Sequence, residues 1–228
     1  MTHIAKKIST AAIISSVLFF LALAHADATK VSIIDEKAKS EAEVGKIFYV
    51  GGVTSSKVVD LIKAIDELNV NHKLKKIYLY IDSYGGDMDS GYMAYMAIKS
   101  SKIPITSVNL VTVMSSATMM FCGAHDRISL SGGRFILHPA NVWVSGRIQP
   151  DQLGIVESNL DEYNKMFFSV YKECTDFSDS EIKSILASEN QRRFLSAEEA
   201  KMHGMIKGTA NKIVDASVVY YISDSIHK

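Results

Sequence analysis

Two adjacent serines, a later histidine and a pair of glycines are the residues here whose types and spacing could do chemistry. The segment from 105 to 138 reads ITSVNLVTVMSSATMMFCGAHDRISLSGGRFILH. Its first apolar run has strand character and stops at Ser115 and Ser116, a helical apolar run follows, and a short second strand ends on His138. A serine hydroxyl is a weak nucleophile until a base within hydrogen-bond reach takes its proton, and His138 is the candidate base. Attack on an acyl group also requires N–H donors aimed at the oxyanion that develops. Gly85-Gly86 follows an apolar strand, and the absence of a Cβ lets the Gly86 N–H line a cavity. If Ser115 is the nucleophile, the Ser116 N–H at the start of the next helix is the second donor. Each piece also has an ordinary reading: a Ser-Ser helix cap, a Gly-Gly turn, a core histidine. The residues alone leave both readings open.

The elements that must position these groups are legible in order. Lys46–Val50 reads as a buried strand with Gly51-Gly52 as its turn. Val58, Leu61, Ile62, Ile65 and Leu68 recur at helical spacing, which predicts a helix over about 55–69. KKIYLYID (75–82) carries apolar or aromatic side chains on both faces, as a strand inside an α/β sheet does. A helix from about Asp87 to Ser100 and a strand from Ile105 to about Val111 follow. This β-α-β-α-β order predicts parallel strands with right-handed crossovers, and ligands at the strands' C-terminal ends. Gly85-Gly86 and Ser115 both lie at such ends.

Further on, Pro150 to about Thr175 reads as one long helix with a seam of Leu153, Val156, Leu160, Tyr163, Phe167, Val170 and Cys174. That seam packs either on the domain's own core or, in part, on another subunit. Ser178 with Glu181, and Ser196 with Glu199, are capping boxes opening two short helices. VVYYI near the end is a β-like run suited to closing a sheet edge or pairing with a partner chain.

The 228 residues are 47% hydrophobic, enough for one substantial core. Charges balance at 25 against 25, so no global field favours nucleic acid. Lys6 and Lys7, the apolar run Ala11–Ala24 and the end Ala24-His25-Ala26 are expected to form a cleaved signal peptide, residues 1–26. A bacterial periplasmic or secreted location follows, with membrane contact only if that segment stays uncleaved. Cys122 and Cys174 could bridge in an oxidising compartment. Both fall on apolar faces of predicted helices, where free buried cysteines are common, so free thiols are the expectation. No His/Cys cluster has metal spacing, and neither metal nor cofactor is expected.

Three segments in order carry a family resemblance. IYLYIDSYGG (77–86) resembles the strand and glycine-rich turn IxLYINSPGG of the Clp protease proteolytic subunits. FILHPA (135–140) resembles their strand ending on the catalytic histidine, and RFLSAEEAKMHGMI (193–206) their FLSAxEAxxxGLI segment. The resemblance implies a crotonase-like α/β superfold of repeated βαβ units with a long handle helix, and assembly as a homo-oligomer. It divides the chain into an arm (27–45), a Clp-protease-like domain (46–212) and a C-terminal tail (213–228). It also implies a serine peptidase cleaving peptides or unfolded protein segments, with Ser115 as nucleophile, His138 as base, and the backbones of Gly86 and Ser116 as oxyanion hole. Ser116 is the alternative nucleophile.

Three departures stand out. Tyr84 replaces the turn proline, the glycine shortly before the nucleophile is absent, and Arg192 stands where the triad aspartate is expected. Glu189 and Asn190 are then the candidate third members. A catalytically degenerate peptide-binding or scaffold protein is the second reading.

Overall fold

The computed structural model of the chain describes residues 31–32, 42–71 and 73–224. Residues 1–26, read as a signal peptide, and 33–41 of the arm lie outside them. Among the described residues, nine strands form one sheet: β1 (Val31–Ser32), β2 (Val44–Val50), β3 (Lys76–Ser83), β4 (Ile105–Met114), β5 (Asp126–Leu130), β6 (Arg134–Leu137), β7 (Arg193–Ser196), β8 (Gly208–Ala210) and β9 (Val218–Ser223). The main path runs β1-β9-β2-β3-β4-β5-β8, parallel from β9 to β8, with β6 pairing parallel to β4 and β7 antiparallel to β6.

The crossovers follow from local sequence. Helix α1 (Ser55–Asn69) is capped by Thr54, whose hydroxyl accepts the Lys57 N–H, and buries Val58, Leu61, Ile65 and Leu68 at the expected spacing. Helix α2 (Met88–Lys99) is capped by Asp87, whose carboxylate accepts the Ser90 N–H at 2.8 Å. The short α3 (Ser116–Cys122) is buried along its whole length. The long α4 spans Pro150–Cys174, and α5 (Asp179–Ile185) and α6 (Ala197–Met202) open on the two capping boxes foreseen at Ser178 and Ser196.

Strand β4 runs further than its sequence suggests, to Met114, because a bulge lies within it. Ile81 pairs with Asn109 but Ser83 with Val113, so β4 carries two extra residues there. The Asp82 carboxylate takes up the slack by accepting the Thr112 N–H at 3.1 Å. Beyond the bulge β4 changes neighbour: Thr106–Asn109 pair with β5, Thr112–Met114 with β6. That switch sets the end of β4 against the strand leading to His138.

Other differences have plain causes. Strand β2 begins at Val44, two residues earlier than its apolar run. Strands β5, β7 and β8 are too short or too mixed in composition for alternation to announce them. The seam on α4 divides: Phe167, Val170 and Cys174 are buried, whereas Leu153 is more than half exposed. The VVYYI run is no loose end. As β9 it pairs parallel with β2 and antiparallel with β1.

The expectation of free thiols is overturned, since Cys122 and Cys174 form a disulfide with Cα atoms 5.6 Å apart. Helical periodicity places each cysteine on an apolar face but does not reveal that the two faces meet. For cysteines 52 residues apart, loop-closure entropy gives a stabilisation of about 4 kcal/mol. The double substitution Cys122→Ser, Cys174→Ser should therefore lower the melting temperature by about 8–16 °C, read by thermal unfolding monitored by circular dichroism.

Candidate active site

Ser115 sits between the last residue of β4 and the first of α3 with φ 56° and ψ −137°. Among the described residues it is the only non-glycine with positive φ. A β-carbon is disfavoured there by about 1–3 kcal/mol, so the surroundings must enforce the conformation. They do so from both sides. The Ser115 N–H donates to the Ile136 carbonyl at 3.4 Å, continuing the β4–β6 pairing. The Ser115 carbonyl accepts the Thr118 N–H at 2.8 Å and the Thr118 hydroxyl at 2.6 Å. That hydroxyl also lies 2.9 Å from the phenol of Tyr171 on α4, and burial pushes this phenol above its ordinary range.

The glycine turn closes over the serine. Gly85 has φ +89°, and a Cβ there would fall 2.5 Å from the Ser115 Cβ and 3.0 Å from the Ser116 nitrogen. The turn lacks the resembling family's proline, yet it is held otherwise. The buried Ser83 hydroxyl accepts the Gly85 N–H at 3.1 Å, and the Tyr84 hydroxyl accepts from Arg134 Nη2 at 3.3 Å. Val53 pairs with Gly86 as a parallel bridge: the Val53 N–H donates to the Gly85 carbonyl, and the Val53 carbonyl accepts the Asp87 N–H, both at 2.9 Å. This pattern turns the Gly86 N–H away from Val53. The Ser116 N–H is among the first-turn donors that a helix leaves unpaired. Among the described residues, these two backbone donors beside Ser115 have no partner.

The two serines differ sharply. The Ser116 hydroxyl is buried, has no hydrogen bond among the described residues, and packs against α2, where a Cβ on Gly91 would come 2.7 Å from the Ser116 Cβ. Ser115 is only partly buried.

His138 lies just beyond β6, and the Met114–Ile136 pairing brings it and Ser115 to the ends of adjacent parallel strands. The imidazole is 3% exposed, and neither ring nitrogen has a hydrogen bond among the described residues. A buried unpaired polar group costs about 1–3 kcal/mol, which makes such a group a marker of function. Nδ1 faces Glu189 Oε2 at 3.4 Å, within ion-pair range but misaligned for a hydrogen bond. The other oxygen of Glu189 is 2.7 Å from Arg192 Nη1, and the Arg192 guanidinium lies over the Phe194 ring at 5.2 Å. So the arginine at the expected aspartate position does not face the histidine as its partner; it secures the carboxylate that does. Asn190 belongs to the same exposed 3-10 turn, Glu189–Gln191. After His138, Asn164 on α4 accepts the Ala140 N–H at 2.8 Å.

The geometry makes Gly91 diagnostic. Ala in place of Gly inside a helix ordinarily stabilises by about 1 kcal/mol, but overpacking costs about 1–3 kcal/mol, and the added methyl would meet the Ser116 carbonyl at 2.8 Å. Gly91→Ala should therefore lower the melting temperature, with differential scanning calorimetry as the check.

Comparison with known proteins agrees with this architecture. The family model described as Clp protease matches residues 32–213. The ATP-dependent Clp protease proteolytic subunit 2 of Treponema denticola is 24% identical over 163 residues, covering 71% of this chain and 78% of that protein. The subunit of the same description from Pseudomonas aeruginosa is 25% identical over 175 residues, covering 75% and 82%. A solved ClpP1 variant from Listeria monocytogenes superposes with a TM-score of 0.64 at 19% identity, covering 77% of this chain and 94% of that one. Its fold is the crotonase-like superfold.

Proposed function

The chain belongs to the Clp protease family, and from that premise we propose that it is a serine endopeptidase cleaving peptides or unfolded protein segments. Ser115 Oγ attacks the scissile carbonyl while His138 Nε2 takes its proton. The oxyanion forms against the N–H groups of Gly86 and Ser116. His138 then returns the proton to the leaving amine, and water, activated by the same ring, releases the acyl group and regenerates the serine. Glu189 takes the third role, orienting the imidazole through Nδ1 and balancing its transient charge. The observation that carries the reading is the enforced positive φ at Ser115, beside a buried histidine. A strained strand-to-helix turn is the conformation in which a serine nucleophile is presented above a sheet.

Residues 1–26 support export, with the mature chain starting at Asp27. The Cys122–Cys174 disulfide fits an oxidising compartment. Without ATP there, cleavage proceeds without a nucleotide-driven unfoldase. The uncovered N-terminal half of α4, with exposed Leu153 and Ile155, and Trp143 at 98% exposure, supports a homo-oligomer. A second reading, a peptide-binding ring without turnover, is favoured by the absence of a hydrogen bond between Glu189 and His138.

A fluorophosphonate probe decides between them. The mature protein should label at Ser115, Ser115→Ala should not label, and Ser116→Ala should label normally. Absence of labelling in the parent, where a control hydrolase reacts, would leave the second reading. Glu189→Gln should slow peptide hydrolysis by about 10- to 100-fold, less than the roughly 10⁴-fold seen when a buried triad aspartate is lost. Export is checked by N-terminal sequencing of periplasmic protein, with Asp27 as the expected first residue.

A further inference from the structure

Lys57, in the first turn of α1, is a charged side chain only 1% exposed. Its ammonium donates to the Val50 carbonyl at 2.8 Å and to Asp224 Oδ1 at 2.9 Å, and lies 4.9 Å from the centre of the Tyr49 ring. Burial pulls its proton affinity down, and the ion pair with Asp224 offsets part of that. Asp224 directly follows β9, and its second oxygen accepts the Gly52 N–H at 3.2 Å. The approach is close enough that a Cβ on Gly51, where φ is +96°, would fall 1.9 Å from that oxygen.

An ammonium from α1 and a carboxylate beyond the last strand therefore grip the turn after β2. This turn is the one that registers the glycine loop. The Gly51 N–H donates to the Asp82 carbonyl at 2.9 Å, and Val53 holds Gly85 and Asp87 on either side of Gly86. Lys57 is buried but the Asp224 side chain is 53% exposed, so solvent screens the pair and it adds little stability by itself. What an apolar pair does not supply is a hydrogen-bonded position for Gly52.

We propose that Lys57 and Asp224 are positioning residues for the oxyanion site, setting the Gly86 N–H through the turn 51–53. The inference rests on the assignment of Gly86 as an oxyanion donor.

The test compares the mature parent with Asp224→Asn, Asp224→Glu and the apolar double variant Lys57→Met, Asp224→Leu. The probe is the fluorophosphonate, with its maximal labelling rate and its affinity measured separately. Hydrogen–deuterium exchange at 85–87 is followed beside the core strands β3 and β4. Because misplacement of a catalytic group by about 1 Å can cost 10²-fold, the maximal rate should fall by about 10- to 100-fold in Asp224→Asn. Probe affinity should stay unchanged, exchange at 85–87 should rise, and Asp224→Glu should recover most of the rate. The double variant should keep its melting temperature yet label as slowly as Asp224→Asn. Parent-like labelling in either variant would overturn the proposal. If the parent itself does not label, the peptidase reading fails separately and exchange decides: faster exchange at 85–87 upholds the coupling, and unchanged protection overturns it.

Discussion

The left-handed backbone at Ser115 is the constraint on which the rest of this structure depends. A serine there is unfavourable by itself, so the conformation exists only because neighbours over-determine it. On the strand side, β6 accepts the Ser115 N–H; on the helix side, Thr118 donates twice to the Ser115 carbonyl. Both ends of α3 are then tied to α4, the first turn through Thr118 and Tyr171 and the last residue through Cys122 and Cys174. The long helix α4 is thereby a brace for the serine, while its N-terminal half stays exposed. Gly85 and Gly91 complete the arrangement by leaving out methyl groups that would push Ser115 or Ser116 away.

The charge nearest His138 comes from the exposed 3-10 turn Glu189–Gln191. The Glu189 carboxylate faces the ring nitrogen with one oxygen and an arginine with the other. Arg192 stacks over Phe194, which fixes where that carboxylate is held. Replacement of the expected aspartate by arginine therefore need not remove the acid from the site. In the proposed site the carboxylate comes from three residues earlier, on the 3-10 turn, and pairs with that arginine. The ring is buried but Glu189 is about half exposed, so solvent reaches the carboxylate and the contact is weaker than a fully buried pair would be.

The glycine loop and the sheet edge are linked by the same economy. The turn after β2, the glycine loop after β3 and the end of β4 are three consecutive strand ends, joined by hydrogen bonds from Gly51 to Asp82, from Val53 to Gly85 and from Thr112 to Asp82. The C-terminal strand extends this set, since its following residue Asp224 reaches back to Gly52. A chain end commonly thought of as a tail is thus part of the frame.

Much was legible in the residues themselves. Apolar periodicity identified α1 and α4, the capping residues fixed the starts of α5 and α6, and the β-α-β-α-β order implied a parallel sheet with ligands at the strand ends. These features are local: they depend on side-chain spacing along one element, which a sequence displays directly. The motif around Gly86, Ser115 and His138, proposed above as the catalytic site, stands out in the sequence through its resemblance to a family pattern. Tertiary structure alone decided how separate elements meet. It decided that β4 bulges and changes neighbour, that Ser116 turns inward to Gly91 while Ser115 stays partly exposed, that Cys122 meets Cys174, and that Glu189 rather than Arg192 faces the histidine. Each of these is a distance between residues far apart in the chain or a choice between neighbouring side chains. Such choices are made by packing and by the cost of unpaired polar groups, which no linear pattern records.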